Sequence, residues 1–279
     1  MEYGIISREI PAGSIAELFN KTRDYGFTLM QLNYASFLEK EMPESIPDSV
    51  NREIAAEAAA NRIKIAAVNG TFNMAHPDAA VRQDGVKRFE KIAASCKTLG
   101  CELVSLCTGS RNAGYMWAPH PENNGPQAWN DMSAVMEQLV EIAEKYDVNL
   151  GIETEASNVI NTPVKAKKLI DQIKSLHLKI IMDAANLFLP GTAKRENVKP
   201  VIARAFDLLG PYIALAHGKD IKEGNGIEFT HAGAGIIDFG FFINELEKIG
   251  YKGGMILHGF KKQEEIIGSK EFIRTLPII

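Results

Sequence analysis

His177 to Leu189 reads HLKIIMDAANLFL, and the way this stretch begins and ends decides the fold. Ile180, Ile181 and Met182 form a short apolar run, Asp183 stops it, and a turn-prone Ala184-Ala185-Asn186 comes next. That is the pattern of a buried strand surfacing at a site. A carboxylate closing an apolar run stands where the chain leaves the core, and in parallel α/β folds the C-terminal strand ends are where ligands bind. Three other runs end similarly: VNLGIE at Glu153, IALAH at His217 and MILH at His258. Any one of these residues can be a loop or N-cap residue. Together they bring two carboxylates and two imidazoles to what reads as one rim.

Further strand-like runs flank this stretch at Tyr3–Ile6, Thr28–Leu32, Ile63–Val68, Glu102–Cys107, Val148–Glu153, Ile213–His217 and Gly254–His258. Helical patterns lie between them. One opens at Ser14 and stops near Gly26, and one has Asp48 or Ser49 as cap and an alanine-rich body. The others cover Arg82–Leu99, closed by Gly100, then Trp129–Tyr146, Pro163–Leu176, Val198–Leu209 and Asp238–Ile249. Eight strand–helix units with continuously apolar strands and no linker predict a single parallel (β/α)₈ TIM barrel over residues 1–279. An open doubly wound sheet is the alternative. The fifth strand favours the barrel: Val148, Leu150 and Ile152 share a face suited to helices, while Asn149, Gly151 and Glu153 share one suited to a barrel interior. No GxGxxG comes after a strand, which argues against a dinucleotide cofactor.

The chain has 279 residues, 46% hydrophobic and 24% charged, enough for one large core. A net charge of −4 gives no basic field, so the expected partner is a small molecule and not a nucleic acid. Cys96, Cys101 and Cys107 show no CxxC spacing and suit reduced, buried thiols. The N-terminal MEYGIISREI is neither a signal peptide nor a membrane span, so a cytoplasmic protein with no membrane partner is expected. A homo-oligomer is compatible with all of this.

Two polar loops come after strand ends. NGTFNMAHPD carries His76, a candidate proton shuttle or substrate donor; the long Gly- and Pro-rich stretch from Thr108 to Gln127 carries Trp117 and His120 and reads as a lid. Arg111, Asn112 and Glu155 are candidates for binding hydroxyls or a carboxylate. Lys219 either contacts substrate or forms a rim pair with Asp220, His231 could face the mouth, and His177 reads as surface.

The order Glu153, Asp183 with Asn186 three residues on, His217 in HGKD, then GAGIIDF resembles the xylose isomerase-like superfamily. Its members include sugar-phosphate isomerases and epimerases, and it is related to the endonuclease IV-type apurinic endonucleases. The resemblance covers nearly the whole chain and rests on IETE, MDAAN and HGKD. It implies one divalent metal at the barrel mouth, held by Glu153, Asp183 and His217, with Asn186 among the substrate-binding residues. The chain departs from the family where strand eight should end in a glutamate that serves as fourth ligand and acid/base group; here His258 stands there. Histidine can ligate through a neutral nitrogen and move protons near neutral pH. With one negative charge fewer, the expected ion shifts from Mg²⁺ toward Mn²⁺, Co²⁺ or Zn²⁺.

The function this implies is a metal-dependent isomerase or epimerase of a sugar, sugar phosphate or related polyol or keto-acid. Glu153 is the candidate base for an enediolate-type reaction and His258 the candidate partner. Reprotonation then gives an isomer or epimer, and β-elimination gives dehydration; a hydride shift needs no such pair. The alternatives are an endonuclease IV-like phosphodiesterase with several metals and a non-catalytic sugar-binding barrel.

Overall fold

The computed structural model describes residues 1–276. Its strands are β1 (Tyr3–Ile6), β2 (Leu29–Leu32), β3 (Lys64–Asn69), β4 (Leu103–Leu106), β5 (Asn149–Glu153), β6 (Leu178–Asp183), β7 (Ile213–Ile221), β8 (Phe229–His231) and β9 (Met255–Leu257). All except β8 are parallel and pair in ring order. The ring closes because β9 pairs with both β7 and β1, while β6 pairs with β7. The helices are α1 (Ile15–Asp24), α2 (Asp48–Asn61), α3 (Ala79–Leu99), α4 (Pro126–Tyr146), α5 (Pro163–Ile173), α6 (Val198–Leu209), α7 (Phe239–Lys248) and α8 (Glu264–Arg274). This is the expected (β/α)₈ TIM barrel; the last three residues of the 1–279 span lie outside the described residues. No helix among the described residues is long and apolar enough to cross a membrane.

Strand periodicity divides the buried apolar side chains into two sets. Leu150, Ile152, Ile180 and Met182 join the large core between barrel and helices, whereas Leu29, Ala67, Leu103, Ile181, Leu215 and Ile256 form a separate cluster inside the barrel. Gly151 belongs to the inner set, since a Cβ there would lie 2.8 Å from Ile181 Cγ1 and 3.1 Å from Leu103 Cδ1. Gly151→Val is therefore expected to overpack the interior, costing about 1–3 kcal/mol and lowering Tm by several degrees. An unchanged melting curve would put Gly151 elsewhere.

Several boundaries differ from the sequence reading, each for a local reason. Asp48 and Ser49 are not caps: α2 begins at Asp48 behind Pro47, and no side-chain cap bond forms. α4 begins at Pro126, whose fixed φ suits a first helical position, so the irregular stretch is shorter than Thr108–Gln127. α5 ends at Ile173 because Lys174 turns left-handed at φ 55°. β7 runs past His217 to Ile221, held by the antiparallel β8 with Lys219 opposite His231.

Candidate metal centre

The apolar cluster inside the barrel determines where the polar site begins. Two residues beyond Leu29, Ala67, Leu103, Gly151, Ile181, Leu215 and Ile256 stand Gln31, Asn69, Ser105, Glu153, Asp183, His217 and His258. Because side chains on a strand face alternate sides, these polar residues continue the inner face one layer nearer the C-terminal strand ends. The parallel register places Asp183 opposite His217 and Glu153 opposite Ile181. One ligand atom from each of Glu153, Asp183, His217 and His258 falls within 4.8 Å of the others.

His217 is 1% exposed, and its two ring nitrogens have different surroundings. Nε2 lies 2.8 Å from Gln31 Oε1, and the Gln31 amide nitrogen donates to Ser105 Oγ at 3.3 Å. The amide oxygen facing the ring makes Nε2–H the donor, leaving the Nδ1 lone pair free. Nδ1 has no hydrogen-bond partner among the described residues and sits 3.4 Å from Glu153 Oε2. A buried nitrogen without a partner costs about 1–3 kcal/mol, and this one points at a carboxylate in a four-donor cluster. With two carboxylate and two imidazole donors, that chemistry fits a divalent cation. If Gln31 fixes the His217 tautomer as an outer partner, Gln31→Leu should weaken metal binding by about 10–100-fold. Unaltered affinity in a metal titration would show that the ring needs no such orientation.

The remaining members are tied to one another. Asp183 Oδ1 accepts the Ala185 N–H at 2.9 Å, while Oδ2 lies 3.1 Å from His258 Nε2 and 3.4 Å from Lys219 Nζ. Burial pushes the Asp183 carboxyl up, but the Lys219 ammonium and His258 outweigh it and hold the group well below the usual carboxylate range. Burial also pulls Lys219 down, and Asp183, Glu153 and Glu155 overcome it, keeping the ammonium charged. His258 is held below the ordinary histidine value, chiefly by burial, and thus favours the neutral ring a metal needs. Asn186 Nδ2 donates to Glu153 Oε1 at 2.6 Å, and Asn186 Oδ1 accepts from Lys219 Nζ at 2.7 Å. Burial raises the Glu155 carboxyl, opposed by Lys219.

A cavity of about 400 Å³ opens over this layer, lined among others by Asn33, Asn69, Trp117, Glu153, Glu155, Asn186, His217, Lys219 and His258. Three other candidates from the sequence do not line it. His76 accepts the Asp78 N–H and approaches Ala113 O, Arg111 pairs with Asp131 at 2.7 Å, and the Asn112 carboxamide accepts from Gly114 and Tyr115. Each lies in the loop after a strand end and turns into the loop or toward α4. His120 caps the turn at Pro121–Asn124, His177 contacts Val148 O, and His231 bonds Ser269. Lys219 and Asp220 do not pair: Asp220 accepts backbone N–H groups from Ile221, Gly233, Gly235 and Ile237 and shapes the GAG loop.

Gln31 and Ser105 escape the sequence reading. The available signal was a polar residue interrupting an apolar strand, in LMQL and LVSL, in step with the interior face.

Residues 19–276 match the model of a family described as xylose isomerase-like TIM barrel. No curated protein matches the sequence. Among solved structures, a D-tagatose 3-epimerase-like protein superposes with TM-score 0.78 at 19% identity, covering 98% of this chain and 96% of the other. A 3-keto-D-glucoside 4-epimerase from E. coli gives TM-score 0.74 at 17% identity, covering 99% of both chains. The IOLI protein, solved with a zinc atom, gives 0.73 at 17%, covering 98% of this chain and 96% of the other. At these identities the likeness is one of fold.

Proposed function

The chain belongs to the xylose isomerase-like TIM-barrel family, and from that premise we propose that it is a divalent-metal-dependent isomerase or epimerase of an uncharged sugar or related polyol ketone. The observation that carries this reading is the buried, unpartnered His217 Nδ1 facing Glu153 within a four-donor cluster under a polar cavity. A solved neighbour that is an epimerase, another that is epimerase-like and one that holds zinc support the same class.

An ion held by Glu153, Asp183, His217 and His258 would supply Lewis acidity toward a carbonyl and its neighbouring hydroxyl. The rest of the chemistry belongs to the side chains. Glu153, oriented by Asn186, takes the proton from the carbon next to the carbonyl. His258, kept neutral by burial, stands across the cluster as the second proton carrier. The Lys219 ammonium stabilises negative charge gathering on the substrate oxygens, and Glu155 and Asn186 orient hydroxyls. Proton return to the opposite face gives an epimer; return to the adjacent carbon gives an isomer.

Charge favours a neutral substrate over a phosphate. Arg8 and Lys219, the lysine and arginine lining the cavity, are already engaged by Glu41 and Asp183, while Glu9, Glu41, Glu153 and Glu155 also line it. Among the described residues the metal-competent groups form one cluster, with His76, His120 and His231 outside it, which speaks against a multi-metal phosphodiesterase. The test is metal analysis of purified protein together with NMR of neutral ketohexoses in D₂O. We expect roughly one divalent ion per chain and solvent deuterium at the carbon beside the carbonyl. Metal-free protein with no exchange would leave a sugar-binding barrel, and isomerisation without deuterium would replace proton transfer with a hydride shift.

A further inference from the structure

A second cavity, about 600 Å³, adjoins the first, and Trp117, Glu155 and Lys219 line both. Its chemistry differs. Tyr115, Trp117, Pro119, Pro190, Ile227 and Phe229 supply most of its walls. Tyr115 and Trp117 are 62% and 38% exposed, leaving large aromatic faces uncovered beside the site. Phe229 is held in place by Lys219, whose Nζ lies 3.8 Å from the ring centroid. The annex is built by the segment after β4 and the β7–β8 hairpin, with the loops after β5 and β6 adding Ser157 and Pro190.

We propose that the substrate has two parts: a hydroxylated ring bearing the reacting ketone at the Glu153–Asp183–His217–His258 cluster and a flat apolar substituent in the aromatic annex, as in an aryl glycoside whose sugar ring carries a keto group. This rests on reading the cluster as a sugar site. Size, continuity and contrast of lining carry it. The donor-rich cavity suits one sugar ring, and a monosaccharide alone would leave the aromatic faces in water. The annex offers few hydrogen-bonding groups besides Ser157 and the shared Glu155 and Lys219, so it suits an apolar ring better than a second sugar. Among the described residues its lining holds one cation, Lys219, already beside Asp183, so an anionic substituent finds no free counter-charge.

The test compares phenyl and methyl β-D-glucopyranosides and the matching galactosides, unreactive analogues that lack the ketone, by calorimetry on metal-loaded protein, with cellobiose as the two-sugar control. The phenyl member should bind roughly tenfold tighter, as burial of one aromatic face predicts. Ile227→Asp, which places a charge on the annex wall at a partly exposed position, should drive the phenyl-to-methyl ratio toward one. Equal affinities, cellobiose binding more tightly than the phenyl glycoside, or no binding of either pair would overturn the proposal. Asp183→Asn separates the two levels of inference. If it weakens phenyl and methyl members alike, the annex stands together with the sugar site. A phenyl preference that survives with both affinities untouched keeps the annex but removes the sugar ring from the cluster.

Discussion

Asp183→Ala is expected to empty the protein of its divalent ion and to abolish turnover. Asp183 is 1% exposed, and its Oδ2 faces His258 Nε2 and Lys219 Nζ. Its removal deletes one ligand oxygen and also leaves a buried ammonium without its nearest carboxylate. Breaking a buried pair on one side costs about 3–5 kcal/mol, so the metal-free variant should melt well below the metal-free parent. Loss of metal affinity should exceed the about 10–100-fold typical of an outer hydrogen bond. Asp183→Asn keeps the shape and removes the charge; if it folds normally yet fails to bind metal in elemental analysis, the effect belongs to ligation. Metal content equal to the parent's in both variants would remove Asp183 from the site.

The second large effect concerns His258, where the family resemblance implies a glutamate. His258→Glu should restore an oxygen-rich site and move selectivity toward Mg²⁺ or Mn²⁺ relative to Zn²⁺ by on the order of tenfold. It should do so at a cost visible only without metal. The new carboxylate would stand where His258 Nε2 now lies 3.1 Å from Asp183 Oδ2, and two like charges at that distance repel. The melting temperature of His258→Glu should therefore depend on added metal more steeply than the parent's, and His258→Ala should weaken binding of every ion. Competition binding with the three metals decides the matter: an unchanged order and unchanged affinities in both variants would leave His258 as a rim residue.

The strand ends were readable because parallel strands buried on both faces appear as unbroken apolar runs, so the residue that stops each run is conspicuous. Glu153, Asp183, His217 and His258 converge for that reason. Loop residues just past a strand end are harder to read. Arg111 and Glu155 both occupy such positions, yet Arg111 turns to Asp131 on α4 while Glu155 faces the cavity. Partners on other elements decide that choice, and they are remote in sequence. The Gln31–His217 contact spans 186 residues, and no local pattern encodes it. β8 is too short, at three residues, to leave a periodic signal.

The apolar layer beneath the donors has a consequence for how the protein opens. Ile181, Leu215 and Ile256 each stand two residues before a donor, on strands bonded into the closed ring. Glu153, Asp183 and His217 lie within β5, β6 and β7, so none of these three can leave its place by fraying of a terminus or swinging of a loop, while His258 stands one residue past β9. The amides of these strands should exchange with solvent only when the whole barrel comes apart, in contrast to local openings elsewhere. A bound ion is then linked to that global event in full: at a hundred times its dissociation constant it adds about 2.7 kcal/mol to the slowest-exchanging amides. Those amides would report occupancy of the centre directly, with no substrate or turnover needed as the readout.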